Sequence, residues 1–272
     1  MGCAGAAGSR YRARERPDPR GAPLQGGLSV DESRDPGPDA PEAPADANIT
    51  RGEVRGDRVH TFATGEIRVT WSKMRCTHVA ACVMNLPKVF EPGRRPWVDL
   101  GQGSADAIAR TVQRCPTGAL HFERIDGGAP EPVPTVNTAV ATRNGPLALR
   151  GDIEVRDESG ELLLRDTRVA LCRCGRSANR PFCDNSHQRV AFRDDGAVRW
   201  EQGVQETGAE GPRLSVQPEA DGALVLTGPF AIASADGATM LAGTHARLCR
   251  CGQSASKPFC DDSHVRTGFC SK

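Results

Sequence analysis

From residue 59 the chain alternates apolar and polar positions. Val59-His60-Thr61-Phe62 and Glu66-Ile67-Arg68-Val69-Thr70-Trp71 flank Thr64-Gly65, and this period of two predicts a β-hairpin. His78 to Leu86 reads as a helix that Pro87 stops, and Pro96 to Leu100 as a short strand. Ser104 or Asp106 is placed to cap a helix over Ala107 to Gln113, with Ile108 and Val112 turned inward. Ala119 to Phe122 predicts a returning strand. Further on, Leu147, Leu149, Ile153 and Val155, and again Leu224, Leu226, Phe230 and Ile232, predict short strands. Each set leads through a turn at Gly160 or Gly237 to a strand that feeds a cysteine-rich segment.

That second recurrence is a duplication. A shift of 77 residues superposes 144–192 on 221–269 without a gap, and 22 of the 49 pairs are identical. The matches run well outside the cysteines, for example Gly145 with Gly222, Leu149 with Leu226, Thr167 with Thr244 and Phe192 with Phe269. A whole structural unit has been repeated. Residues 1–56, rich in Ala, Gly, Pro, Arg and Asp and without a period, predict a disordered segment. The predicted organisation is therefore a small unit at 57–124, a Pro/Gly linker at 125–136, a first repeat at 137–192, an inserted loop at 193–213 and a second repeat at 214–272. The fold class is α+β, a small α+β domain followed by two tandem β-rich units.

Composition agrees with several small domains. In 272 residues only 4% are aromatic, with 30 Gly and 20 Pro, which leaves little material for one large core. Formal net charge is +1, from 35 basic and 34 acidic residues, so bulk charge gives no case for nucleic acid or an anionic membrane. No apolar run approaches the ~18–20 residues needed to cross a bilayer. Met1-Gly2-Cys3 does not complete a fatty-acylation pattern, because Ala6 stands where Ser or Thr is required. Only four of the basic residues are lysines, a skew expected of a GC-rich bacterial genome. The expectation is a cytoplasmic protein of bacterial type that binds neither nucleic acid nor membrane.

The chemistry lies in the 11 cysteines. CRCGRSANRPFCDNSH at Cys172 to His187 returns as CRCGQSASKPFCDDSH at Cys249 to His264. Each copy spaces three cysteines and a histidine as C-x-C-x8-C-x3-H, a complete ligand set for a soft metal ion or an iron–sulfur cluster. A disulfide framework fits poorly, since the C-x-C pairs are too close to bridge easily, the count is odd and no secretory signal is legible. Cys and His four positions apart can share one face of a helical turn, while a C-x-C pair reaches one iron from an extended loop. Asp184 and Asp261 are placed to cap the helix that follows, Pro181 and Pro258 to fix its approach, and Ser177 and Ser254 to hydrogen-bond sulfur or backbone. Arg173 and Arg250, each between two thiolates, either favour a negatively charged cluster or are simply solvated. A structural zinc site stays open on spacing alone. Upstream, Cys76, Cys82 and Cys115 form a separate trio, the last followed by Pro116, which turns the chain out of a helix and the thiolate toward a common site. Cys3 and Cys270 stand apart, Cys270 having Arg193 as its repeat counterpart.

The cassettes resemble the CDGSH iron–sulfur family, which includes the NEET proteins. The matching residues are Cys172, Cys174, Ser177, Pro181, Cys183, Asp184, Ser186 and His187, then Cys249, Cys251, Ser254, Pro258, Cys260, Asp261, Ser263 and His264. The family glycine is replaced by Asn185 and Asp262, the residues best able to take a left-handed backbone in its place. The resemblance implies one [2Fe-2S] cluster per cassette, two cysteines on one iron and Cys plus His on the other. It also implies an intramolecular pseudo-dimer, because single-cassette members pair about a twofold axis, and hence a monomeric chain. Residues 59–124 resemble the divergent single-cluster ferredoxin domain. There Val79 stands where an ordinary ferredoxin loop has its middle cysteine, so three ligands imply a [3Fe-4S] cluster, or a [4Fe-4S] cluster whose fourth iron takes His78, water or a partner's side chain. His78 is otherwise an exposed histidine at a helix start.

No flavin, nicotinamide or nucleotide motif is legible, nor a catalytic triad or carboxylate pair, so no enzymatic role is expected. The sequence points to a multi-cluster electron-transfer protein with an unidentified redox partner. Cluster storage, donation to an accepting protein or redox/pH sensing is the alternative, because protonating a histidine ligand loosens iron. A zinc-stapled interaction module is the third reading.

Overall fold

The computed structural model describes residues 52–206 and 211–271, all within the unit Ala45–Lys272. The disorder expected of residues 1–51, and the free thiol expected of Cys3, lie outside the described residues.

The predicted hairpin forms from β1 (Val59–Ala63) and β2 (Ile67–Ser72), with Phe62 opposite Val69. The returning strand β3 (Leu120–Arg124) pairs antiparallel with β2, giving a three-stranded sheet of order β1-β2-β3. Two helices lie between β2 and β3, α1 (Ala81–Asn85) and α2 (Ala105–Val112). Ser104 caps α2 by accepting from the Ala107 N–H, and Ile108 and Val112 are fully buried against Ile67, Val69, Phe90 and Leu120. The predicted strand at Pro96 to Leu100 reduces to one bridge, Val98 with Phe90, followed by a 3-10 turn over Leu100–Gln102. Asp99 forces that turn by accepting the Gly101 N–H.

The two repeats build a single seven-stranded sheet. The first repeat contributes β4 (Thr138–Ala141), β5 (Leu147–Arg156) and β6 (Leu162–Leu171). The insertion contributes β7 (Val204–Gln205), and the second repeat β8 (Leu214–Pro218), β9 (Leu224–Ala233) and β10 (Met240–Leu248). The repeats exchange their first strands. β4 pairs antiparallel with its own β5 and parallel with β9, and β8 pairs antiparallel with its own β9 and parallel with β5. Thus β4 and β8 share the central row between β5 and β9, one along each half of it. At their meeting point Asn137 donates from its amide to the carbonyls of Pro212 and Pro229 and accepts the Asp152 N–H. Gly151 is required beside it: its φ is 150°, and a Cβ there would meet the Asn137 side chain. The core is the merged inner face, where Leu147, Leu149, Ile153, Val155, Leu224, Leu226 and Ile232 are fully buried. Each such side chain is worth roughly 1.5–3 kcal/mol of burial, and neither repeat closes this core alone.

Both outer edges are covered, by different means. On β10, β7 pairs through Val204 and Gln205, so the insertion predicted as a loop carries a strand and a 3-10 turn at Glu201–Gly203. On β6, the backbone N–H groups of Gly52 and Arg55 donate to the carbonyls of Arg165 and Leu163. Residues 52–56 are therefore ordered, contrary to the expectation for the segment ending at 56, because an otherwise open strand edge supplies their hydrogen bonds and the core takes Val54.

Candidate iron–sulfur sites

In each repeat the second long strand ends directly in the cassette. β6 runs into Cys172, whose N–H donates to the Pro181 carbonyl at 2.8 Å, while the Cys183 N–H donates to the Ala170 carbonyl at 2.9 Å. The second cassette repeats both bonds, Cys249 to Pro258 at 2.8 Å and Cys260 to Arg247 at 2.9 Å. These bonds fold the sixteen residues back on themselves. The Cys172 and Cys174 sulfurs come within 3.7 Å and the Cys183 sulfur within 3.5 Å of His187 Nδ1. The corresponding distances are 3.8 Å for Cys249 and Cys251 and 3.5 Å for Cys260 and His264. Each cassette thus brings its predicted residues together as two pairs, Cys–Cys and Cys–His, and in both the histidine turns Nδ1 to the sulfur.

The short helices α3 (Ser186–Arg189) and α4 (Ser263–Thr267) carry the histidines. Asn185 and Asp262 precede them with φ of 71° and 58°, the left-handed backbone their residue types predict. The capping expected of Asp184 and Asp261 is corrected, since each lies one residue too early. Asp184 instead accepts from the Ser186 and Ala178 N–H groups, tying the helix start to the middle of the loop, and Asp261 does the same with Ser263 and Ala255. Ser177 and Ser254 bond backbone, donating to the carbonyls of Phe182 and Phe259.

Arg173 and Arg250 are buried, which removes the solvated alternative. Arg173 donates to the carbonyls of Gly145 and Thr142 and to Asp194, and lies over Phe192. Arg250 donates to the carbonyls of Gly222 and Glu219 and to Glu158 of the first repeat, and lies over Phe269. Each guanidinium braces the turn under its own cassette.

The thiols respond to this crowding. A hydrogen bond from Cys174, with help from the Ser177 and Gly175 N–H groups, pulls Cys172 down to about 6, while Cys174 is driven up. In the second cassette Cys251 is the one held at about 6, by its bond from Cys249. In each pair the hydrogen bond between the two sulfurs favours one thiolate and one thiol, a single proton held between them. Burial pushes Cys183 up to about 11 and raises Cys260. Backbone N–H groups already point at sulfur, Asn185 to Cys183 and Gln253 to Cys251, each at 3.4 Å. Soft donors bonded from behind, of which all but one thiol per cassette are costly to charge without a cation, fit an iron–sulfur group.

The two cassettes touch back to back. A Cβ on Gly175 would lie 2.6 Å from the Cys251 carbonyl oxygen, and one on Gly252 would lie 2.9 Å from that of Cys174. Both glycines have positive φ, 73° and 80°.

The trio occupies a separate cavity of about 620 Å³ between the three-stranded sheet and the loop before α1. Cys76, Cys82, Cys115 and His78 line it, with Trp71 and Trp97 on the far wall and no acidic side chain. The helix predicted from His78 begins only at Ala81, because His78 and Ala80 are left-handed, with φ of 54° and 59°. The Cys76 sulfur lies 3.9 Å from His78 Nδ1. Burial, then the neighbouring Cys115 and Cys76, push the Cys82 thiol up to about 11. Cys270 is half-buried and hydrogen-bonds Asp221, outside both Cys3His sets.

Sequence reasoning missed a buried charge cluster joining the trio's domain to β6. Arg75, next to Cys76, pairs with Asp166, which also lies 3.1 Å from His121 Nε2. Glu131 sits 3.0 Å from His121 Nδ1 and pairs with Arg168. Burial opposes charge on His121, yet Asp166 and Glu131 together raise it to about 9. Burial likewise works against Asp166, and Arg75 and His121 outweigh it, holding the carboxyl well below its usual range. Glu131 lies in the stretch predicted to be a linker, which is therefore pinned. The signal was the repeat itself: Asp166 and Arg168 face Gly243 and His245 in the second copy.

Comparison with known proteins agrees with this geometry. Residues 144–188 and 221–265 each match the family described as iron-binding zinc finger CDGSH type, and residues 62–124 match the divergent 4Fe-4S mono-cluster family. The chain belongs to these families, carrying two CDGSH units behind one mono-cluster domain, and is an iron–sulfur protein. It is also similar to the uncharacterized protein YjdI of Escherichia coli K12 and to that of Escherichia coli O157:H7. Each is 32% identical over 60 residues, 22% of this chain and 79% of the relative. No solved structure matches.

Proposed function

We propose that the protein transfers single electrons through two [2Fe-2S] clusters, one in each Cys3His cassette, and a [4Fe-4S] or [3Fe-4S] cluster in the trio. The clusters supply the redox chemistry when bound; the chain's residues hold them, exclude water and fix their spacing. The observation that carries this reading is the joining of all three sites in one body. The cassettes abut through Gly175 and Gly252, and Asn179 of the first cassette donates to the Met74 carbonyl beside the trio at 2.9 Å. In this reading residues 57–124 form a ferredoxin-like domain whose fourth iron, in a [4Fe-4S] cluster, takes His78, water or a partner's side chain, and the reciprocal strand exchange makes the two repeats an internal pseudo-dimer within a monomeric chain. It works in a reducing compartment such as the cytoplasm, without catalysis of its own.

A second reading, cluster donation or sensing, is favoured by one feature. Cys172, Cys174, Cys249 and Cys251 are buried, whereas His187 and His264 are partly exposed, so protons reach the histidine side of each site first. Electrochemical cycling of the anaerobically purified protein separates the two. Electron transfer requires reversible reduction with the visible absorbance fully recovered. Loss of absorbance on cycling, with rapid delivery to an apo-ferredoxin, overturns it in favour of donation.

A further inference from the structure

We propose that the surface around Cys76 and Cys82 is a docking site for a partner protein with an acidic face. This deepens the electron-transfer reading above and rests on it. Apolar side chains ring the trio's loop in solvent: Met74 is 39% exposed, Val79 48% and Met84 72%. Two of them are methionines, whose flexible side chains adapt to a partner.

Charge around this rim is one-sided. Between Glu66 and Glu91, and again between Asp106 and Glu123, the chain has no acidic residue, although overall it is nearly neutral. Those two stretches supply all three cysteines of the trio. Arg95 lines the cavity, Lys73 lies three residues before Cys76 and Arg114 next to Cys115, and none of the three forms an ion pair with another described residue. Arg114 donates to the Asn85 carboxamide, and Arg95 donates only to backbone carbonyls. Some exposed arginines elsewhere are matched, as Arg68 is with Glu123, Arg199 with Asp195 and Arg247 with Glu219. The first cassette extends the same character, since the loop that reaches Met74 through Asn179 carries exposed Arg176.

Unpaired cations around an exposed apolar patch steer an oppositely charged protein and let it seat without stranding charge. An acidic redox protein meets both conditions, through a small transient interface that favours turnover.

The test is stopped-flow reduction of the loaded full-length protein by flavodoxin hydroquinone, an acidic one-electron donor that becomes the semiquinone as the cluster gains the electron. The expected second-order rate falls about tenfold or more from low salt to 0.5 M sodium chloride. The K73E/R114E double variant and M84E each slow the low-salt reaction about tenfold, with iron content and dithionite reduction unchanged. Carbodiimide is expected to link Lys73 to flavodoxin carboxylates. A rate indifferent to salt and to both variants overturns the docking site while leaving electron transfer intact. So does a crosslink from Lys73 to the chain's own carboxylates between Asp31 and Asp46, which makes that segment the occupant. Clusters that dithionite cannot reduce reversibly overturn the underlying reading instead.

Discussion

The amide of Asn179 donates to the carbonyl of Met74 at 2.9 Å, so the first cassette leans on the loop that carries Cys76. Its repeat counterpart, Ser256, is buried, and its N–H bonds Ser254 within its own cassette. Two units with the same ligands therefore have different neighbours. The divergence extends along the strand behind them. Asp166 and Arg168 of β6 receive the trio's domain, whereas Gly243 in β10 leaves room for Val204 of the insertion, where a Cβ would collide.

Removing Asp166 should loosen the N-terminal half first. Asp166→Ala strands the buried Arg75 and His121 charges, and breaking a buried pair from one side costs about 3–5 kcal/mol. The expected result, in a Trp200→Phe background that leaves Trp71 and Trp97 of the three-stranded domain as the fluorophores, is an early fluorescence transition ahead of the far-ultraviolet signal of the large sheet. Coincident transitions at the wild-type midpoint contradict the assignment.

His121 makes the same junction sensitive to alkali. Its pKa is raised to about 9, against about 6.5 when unfolded. The folded form thus holds the proton more tightly. The stabilisation is complete below about pH 6.5 and is lost as pH rises through about 9, and a shift of this size corresponds to about 3 kcal/mol. Asp166 runs the other way: its carboxyl is held down, so its contribution is present above about pH 4 and is lost as pH falls below that. Urea midpoints measured from pH 6 to 9.5 should fall in the wild type and stay flatter in His121→Gln. Parallel curves would rule the network out as their cause.

Gly175 and Gly252 should tolerate no side chain. At φ of 73° and 80°, with the facing carbonyl oxygen 2.6 Å and 2.9 Å from a new Cβ, Gly175→Val and Gly252→Val combine backbone strain of about 1–3 kcal/mol with a steric clash. Both variants should bind iron poorly and show weakened visible circular dichroism from the paired sites. Full iron content with an unchanged spectrum would mean that the cassettes do not need this contact.

Exchanging a histidine ligand should retune one site without emptying it. His187→Cys or His264→Cys replaces neutral imidazole by thiolate, so the potential falls and its dependence on pH between about 6 and 8 flattens. Protein-film voltammetry across that range reads both effects; an unchanged potential in both variants would remove the histidines from the ligand set.

Much of this arrangement was legible in the sequence, for local reasons. The hairpin at 59–72 follows from alternation, and the cassettes announce themselves because their ligands lie within sixteen residues and recur at a fixed shift of 77. The left-handed Asn185 and Asp262 were readable from the resemblance, since they stand where the family has a glycine and are the residue types best able to replace it. What stayed hidden depends on long-range contact. The exchange of β4 and β8 leaves no period, the order at residues 52–56 comes from an edge two domains away, and the Arg75–Asp166 pair joins residues 91 positions apart. His78 to Leu86 misled because its composition suits a helix, while closing a loop around three thiols requires two left-handed residues first.

The central claim is that three cluster sites coexist in one chain. Iron and acid-labile sulfide analysis of anaerobically purified protein, with electron paramagnetic resonance of the oxidised and reduced forms, tests it most directly. The expected result is about seven to eight iron and about eight sulfide per chain, two histidine-ligated [2Fe-2S] signals after reduction, and a third signal from the trio. A colourless protein containing zinc and no labile sulfide would contradict it.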